Sequence, residues 1–450
     1  MPAHEPSALQ SVAPDAQTSA DRADAAAQVL EKINALLPEI EQRAQQTEDL
    51  RQIPDETVSS LDDAGFFKLL QPSQWGGYEA DPVTFYEAVR RIGSACGSTG
   101  WVSGIIGVHN WHLALFDQQA QEDVWGSDPS VRISSSYAPM GAGQVVDGGY
   151  VVNGSWAWSS GSGIADWVFV GGPVIKDGKP VDFVSFLIPR EDYNIKDVWN
   201  VVGLRGTGSN TIEVKDVFVP KHRMLSYRTM GMGQAPGLER NTAPVYKMPW
   251  GTIHPSTIST PIVGMAYGAY RAHVEHQGKR VRAAYAGEKA KEDPFAKVRI
   301  AEAASDIDAA WRQLSGNLQA EYDLILGGEE IPMELRLAAR RGVVVDLLLP
   351  ARSNHGMSDI ARGRALLAHL PAPHLRALYG TAADFSARTD APGPTTPKAL
   401  REEFYLFWST ETRAHPRTQA IRAWARENGY EISNRGRISS EIVSAFEGAV

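Results

Sequence analysis

What most constrains this chain is that its hydrophobic period changes twice. Over residues 25–48 the apolar positions Val29, Leu30, Ile33, Leu36, Leu37 and Ile40 recur at three- and four-residue steps, the spacing of an amphipathic helix. Pro54 opens a shorter helix through Val58 and Leu61, and helical spacing holds over 82–94 and 101–116. The 101–116 stretch is apolar nearly all round, as in a buried helix. From 131 to 219 the spacing falls towards two. The short runs 131–136, 149–152, 167–170, 183–189, 193–198 and 210–219 are rich in Val, Ile, Phe and Trp, with turns such as DGG and KDGK between them. Helical spacing returns at 261–284, 294–321 and 332–349.

This order predicts an α+β fold, mostly α. A polar, disordered arm (1–24) precedes an N-terminal helical domain (25–128), a central β-barrel or sandwich (129–232) and a C-terminal helical bundle (233–349). Residues 350–417 lose clean periodicity and contain the linker APGPTTP, and 418–450 form a small helical unit. Charge follows the same division: the net is −12 over 1–340 and +3 over 341–450, which suggests a composite chain.

Cys96 is the only cysteine, so no intrachain disulfide forms and a cytoplasmic location is expected. The first residues lack the basic start and apolar core of a secretory signal. No apolar run approaches the ~20 residues of a membrane span, so no membrane partner is expected. No Cys/His cluster suggests a metal. No GxGxxG follows a strand and no Walker loop is found, so the chain lacks an evident NADH site.

WAWSSGSGIADW, beginning at Trp156, sets two tryptophans one residue apart beside small hydroxyls. That is either a hairpin with buried tryptophans or one wall for a flat aromatic ligand, with serines for its polar edge.

Several stretches decide the matter together: LLQPSQWGGYEADPVTFYEAVRRIGSACGSTGW, GVHNWHLALF, ISSSYAP, GSWAWSSG and VVGLRGTGSNTIEVKDVFVP. Over about residues 49–341 the chain resembles the oxygenase components of two-component flavin-dependent aromatic monooxygenases, a branch of the acyl-CoA dehydrogenase fold. The likeness is strongest to the enzymes that hydroxylate phenolic seco-steroids and to p-hydroxyphenylacetate hydroxylases. The resemblance implies reduced FMN or FAD, diffusible and supplied by a separate NAD(P)H-dependent flavin reductase. It further implies O2, a phenolic substrate hydroxylated through a C4a-hydroperoxyflavin, and a homotetramer.

It implies roles for residues as well. Trp158 lies along the flavin ring, with Ser159 and Ser134 in the same cradle, and Ser160 reaches N5. Ser135 lies near the ring and the substrate phenol, with Ser134 and Ser136 one residue away as competitors. His109 is the substrate-side histidine, a base whose pKa near neutrality suits a phenol; His112 is the runner-up, and Trp111 reads as wall. Arg205, in GLRGTGSN, pairs with a flavin phosphate, an interfacial carboxylate or a structural salt-bridge partner. Arg280 and Arg282 read as a solvated face.

Two other functions compete. An acyl-CoA dehydrogenase needs a catalytic carboxylate, but Glu302 and Asp308 read as helix-surface charges. An inactive flavoprotein body acting as a scaffold for DNA-binding tails is the other. The family also carries a tryptophan-arginine-histidine stretch late in its bundle, supplying a second catalytic histidine. After Arg341 no copy is found, and His355, His369 and His374 take no role; a divergent, truncated or fused frame gives this pattern. The tail AIRAWARENGYEISNRGRISSEIVSAFEGAV is similar to the DNA-binding domain of actinobacterial histone-like nucleoid proteins. Ile421, Trp424 and Ala425 make its apolar face, and Arg435, Gly436 and Arg437 are placed to enter the minor groove of A/T-rich DNA.

Overall fold

The computed structural model describes residues 18–282, 288–289, 293–337, 424–426, 428, 430 and 445. The chain divides into two units, Met1–Pro371 and Ala372–Val450.

In the first unit the chain opens on α1 (Ser19–Gln42), started by a capping box between Thr18 and Asp21. The expected arm boundary at residue 24 therefore falls inside a helix. Helices α2 (Ala44–Leu50), α3 (Asp55–Ala64), α4 (Pro82–Ala95), α5 (Gly97–Leu113) and α6 (Gln118–Trp125) follow. Asp81 caps α4 through the Thr84 amide, with Pro82 in the first turn. Helix α5 is buried on all sides because its glycines admit close neighbours. A Cβ on Gly100 would meet the Gly93 backbone at 2.4 Å, and one on Gly107 would meet Phe85 at 2.6 Å.

Eight strands follow: β1 (Ile133–Ser136), β2 (Gly141–Val146), β3 (Gly149–Ser159), β4 (Trp167–Lys176), β5 (Lys179–Pro189), β6 (Asn194–Lys196), β7 (Asn210–Pro220) and β8 (Met224–Ser226). They form one sheet in the order β6-β7-β3-β2-β4-β5-β8, and β1 adds to β4 in parallel. Of the expected barrel or sandwich, the hydrogen bonding shows one continuous sheet. Its strands β3, β4, β5 and β7 share one core around Trp156, Val168, Val170 and Phe186. Alternation along β4 sends Phe169 to the other face, where it joins Ile133, Leu187 and the helices in the main core.

The short helix α7 (Tyr227–Gly231) leads to α8 (Trp250–Lys279) and α9 (Pro294–Leu326), with a small hairpin, β9 (Val281–Arg282) and β10 (Glu288–Lys289), between them. Helix α8 begins at Trp250, earlier than its apolar spacing predicts, and runs through Pro255 and Pro261. Each proline reads as a helix start in sequence. Packing of α8 on α4 and α5 holds them inside instead: Gly93 sits against the Pro261 backbone, and the Tyr86 hydroxyl meets the Ile253 carbonyl.

In the second unit, Trp424 stacks on Tyr430 at 5.8 Å and Ala425 is buried, in keeping with the expected small core around Trp424. Ile421, Arg435, Gly436 and Arg437 lie outside the described residues, as do His355, His369 and His374.

Candidate active site: a bulged tryptophan corner and a histidine box

The two tryptophans of WAWSSG part company. Trp156 is fully buried, and its indole N–H donates to the Gly171 carbonyl at 2.7 Å. Gly141 and Gly154 leave room for that ring: a Cβ on either would meet it at 2.2 or 2.4 Å. Pairing of β3 with β7 then slips between Trp156 and Ser159. This bulge re-aims the strand and puts Trp158 in the left-handed region, at φ 65°. For a tryptophan that conformation costs about 1–2 kcal/mol, and strain of this kind gathers at functional sites. The Trp158 side chain is 62% exposed. One tryptophan therefore anchors the corner and the other is presented by it.

Hydroxyls surround the corner. Along β1, alternation places Ser134 and Ser136 on one face. Ser134 accepts from Ser159 at 3.2 Å, and Ser136 donates to the Ala157 carbonyl at 2.7 Å. Ser135, on the other face, lies by the Tyr137 phenol. Ser160 turns towards α5, accepting from the Trp101 indole at 3.0 Å and meeting Ser209 at 2.8 Å.

Trp101 and His109 are eight residues apart on α5, about 12 Å along the helix, so one helix braces both the serine corner and the start of β1. His109 is buried, and its Nδ1 donates to the Ile133 carbonyl at 2.5 Å. A carbonyl only accepts, so this bond fixes the proton on Nδ1. It leaves Nε2 as a bare acceptor, buried and without a partner among the described residues. His112 Nδ1 meets the Tyr137 hydroxyl at 2.8 Å. His254, absent from the expected set, stacks on Trp250 at 4.3 Å and edges Tyr137 at 4.9 Å. The Nε2 atoms of His112 and His254 are likewise buried and lack a partner among the described residues. With Phe116, Phe169 and Trp250 these rings line an aromatic box. His254 was hidden because its helix start reads too late in sequence.

Burial pushes the His109 imidazole down to about 4, partly offset by its bond to Ile133. Burial drives His254 to about 3 and His112 well below the usual range, and neighbouring histidines add to both shifts. The expectation of a histidine near neutrality is corrected: all three are neutral at pH 7. No group of side chains suited to a metal ion occurs among the described residues.

Arg205 is tied down within the chain. Its amide donates to the Glu48 carboxylate at 3.1 Å, and its Nε donates to the Glu48 carbonyl at 3.3 Å. Glu302 is exposed and Asp308 pairs with Arg312 at 2.6 Å, as surface charges do. Trp111 is wall, its indole donating to the Val245 carbonyl. Arg280 is exposed at the end of α8; the side chain of Arg282 lies outside the described set.

Flavin chemistry fits these groups. A presented indole suits a ring face, hydroxyls suit a polar edge, and the His109 Nε2 acceptor suits a phenol. Family models agree with the fold: the acyl-CoA dehydrogenase N-terminal domain matches residues 25–126 and its C-terminal domain matches 256–365. The Lsr2 DNA-binding domain matches 413–449. The oxygenase subunit HsaA of a flavin-dependent monooxygenase, from Rhodococcus jostii, is 77% identical over 315 residues, which is 70% of this chain and 82% of that one.

The chain belongs to the oxygenase components of flavin-dependent monooxygenases.

A second oxygenase component, the FADH(2)-dependent resorcinol hydroxylase of a Rhizobium species, is 36% identical over 72% of this chain and 81% of its own length. Among solved oxygenases, the 3-HSA hydroxylase of a Rhodococcus species superposes with a TM-score of 0.69 at 62% identity, covering 90% of this chain and 98% of that one. Membership of this family sets aside the dehydrogenase reading, consistent with the surface placement of Glu302 and Asp308. No described helix is long and apolar enough to cross a membrane.

Proposed function

We propose that this oxygenase component takes reduced flavin from a separate NAD(P)H-dependent reductase and, with O2, adds a hydroxyl ortho to that of a phenolic seco-steroid. The relative named a 3-HSA hydroxylase supports the substrate class, and the FADH(2)-dependent relative supports FAD over FMN. The observation that carries the reading is the bulged corner, where a strained backbone holds an unpacked indole beside buried hydroxyls. Reduced flavin supplies the electrons that activate O2. The chain's residues bind, orient and keep water out. Trp158 covers the ring face, with Ser134 and Ser159 stiffening its support. Ser160 meets the N5 edge. Ser135 and His109 receive the phenol, whose O–H donates to His109 Nε2. Arg205 locks the GLRGTGSN loop to α2 through its amide and Nε, which leaves its Nη groups for the flavin phosphate.

Trp158→Gly separates backbone strain from ligand binding. Glycine adopts φ 65° freely but gains freedom when unfolded. Unfolding stability should therefore stay within about 1 kcal/mol of wild type, while the anaerobic Kd for reduced FAD rises about ten-fold or more. An unchanged Kd removes Trp158 from the flavin site.

We infer a second, compatible role for the tail: binding A/T-rich DNA through Arg435, Gly436 and Arg437. The Lsr2 DNA-binding match over 413–449 favours it. Thr412 to Arg437 holds six arginines against two acidic residues, a balance suited to phosphate contact. Exposed Phe295 and Val298 on α9 fit burial in a homotetramer, which would present four tails and multiply a weak single contact. A gel shift on A/T-rich duplex at low salt, lost in an Arg435→Ala/Arg437→Ala double variant, is the expected result. No shift with the wild-type chain contradicts it.

A further inference from the structure

The hydroxyl of Ser160 ends a chain of hydrogen bonds whose direction follows from the carbonyl at its far end. The Leu204 carbonyl can only accept, and Thr207 Oγ1 donates to it at 2.9 Å. The Trp199 indole and the Thr207 amide donate to the same carbonyl, which anchors it. With its proton spent, Thr207 Oγ1 accepts from Ser209 Oγ at 2.7 Å. Ser209 in turn has no proton left for Ser160, so Ser160 Oγ donates to Ser209 at 2.8 Å. The Trp101 indole N–H donates into Ser160 at 3.0 Å. A hydroxyl has one proton and two lone pairs. Ser160 is left with one lone pair and nothing to donate.

We propose that Thr207 and Ser209 are positioning residues that make Ser160 an obligate acceptor, so that the site selects reduced over oxidised flavin. This rests on the reading that Ser160 meets N5. Reduced flavin carries a proton on N5 and donates to Ser160. Oxidised flavin presents a lone pair there, and two acceptors face each other. An oxygenase component that borrows diffusible flavin needs this asymmetry, holding the reduced form and letting the spent form go. The device has no proton to turn because every hydroxyl upstream is committed. It also spans three separate parts of the chain: α5, the turn after β3, and the loop before β7.

The test measures Kd for photoreduced FAD under argon, for oxidised FAD, and for oxidised 5-deaza-FAD, which carries C–H in place of the N5 lone pair. Wild type should bind reduced FAD at least ten-fold tighter than oxidised FAD, and 5-deaza-FAD tighter than oxidised FAD. Ser209→Ala frees the Ser160 proton to point at the ligand. Oxidised FAD should then gain about ten-fold relative to reduced FAD, and the 5-deaza preference should reverse. Thr207→Val should act in the same direction, since Ser209 then turns its proton onto Ser160; it serves if Ser209→Ala melts early. A Ser160→Ala variant that shifts the ratio while neither upstream variant does overturns the relay and leaves Ser160 at N5. If Ser160→Ala leaves all three affinities in their wild-type ratio, the N5 reading fails and the relay fails with it.

Discussion

Replacing His109 with alanine is expected to lower hydroxylated product about a hundred-fold while reduced flavin is still consumed and the lost product appears as hydrogen peroxide. His109 Nε2 is a buried acceptor without a partner among the described residues, its other nitrogen held by the Ile133 carbonyl. A phenol hydrogen-bonded to it becomes richer in electrons at the ring position to be attacked. Full proton transfer is a different matter. With the imidazole at about 4 and a phenol near 10, transfer costs about 8 kcal/mol. In the proposed function His109 is therefore a strong acceptor that takes on charge only as the transition state forms, and an effect of about a hundred-fold is what a charge-assisted hydrogen bond of this kind supplies. The measurement is product and peroxide per reduced flavin consumed, alongside the melting curve. Equal losses of product and of flavin consumption would place His109 in the flavin site instead.

The second large effect is acid lability. Each of the three buried histidines has a folded pKa below its unfolded value near 6.5. Above 6.5 they are neutral in both states and their contribution to stability is complete. As pH falls from 6.5 towards 4, the unfolded chain takes up protons that the folded chain refuses, and stability is lost. Three such groups give a slope of about 4 kcal/mol per pH unit, against a whole stability of about 5–15 kcal/mol. Glu321, raised by burial, works in the opposite sense with at most one proton. Unfolding near pH 5 with net uptake of two to three protons is expected, and His254→Asn should make the slope shallower by about one proton. Denaturant melts from pH 7 to 4 read this directly; a stability that stays flat down to pH 4.5 contradicts the histidine box.

The order of helices and strands was legible because the hydrophobic period changes at the domain edges. Strand β2 was not, since Gly141 and Gly143 look like turn residues. Their missing side chains instead make room for Trp156 and Phe186. The start of α8 was misplaced because Pro255 and Pro261 are helix openers by local rules and only packing on α4 keeps them inside. That error hid His254. The resemblance nominates His109, Ser135 and Ser160, and the all-round apolar 101–116 stretch implies that His109 is buried; an ordinary imidazole near neutrality is nevertheless the wrong expectation there, because burial disfavours the charged ring. The Thr207–Ser209–Ser160 relay joins segments 49 residues apart, and its Trp101 donor lies 59 residues from Ser160. Such a contact has no local signature. Residues after 337 that bear on the family's second histidine lie outside those the structure describes, with the few exceptions around Trp424.

In the proposed function the bulged corner and the histidine box form one water-excluding oxygenase site. The most direct test supplies the folded chain with photoreduced FAD, a phenolic seco-steroid and 18O2, with no reductase present. A catechol carrying one 18O atom is the predicted product. Hydrogen peroxide alone, with the steroid recovered unchanged, would contradict it.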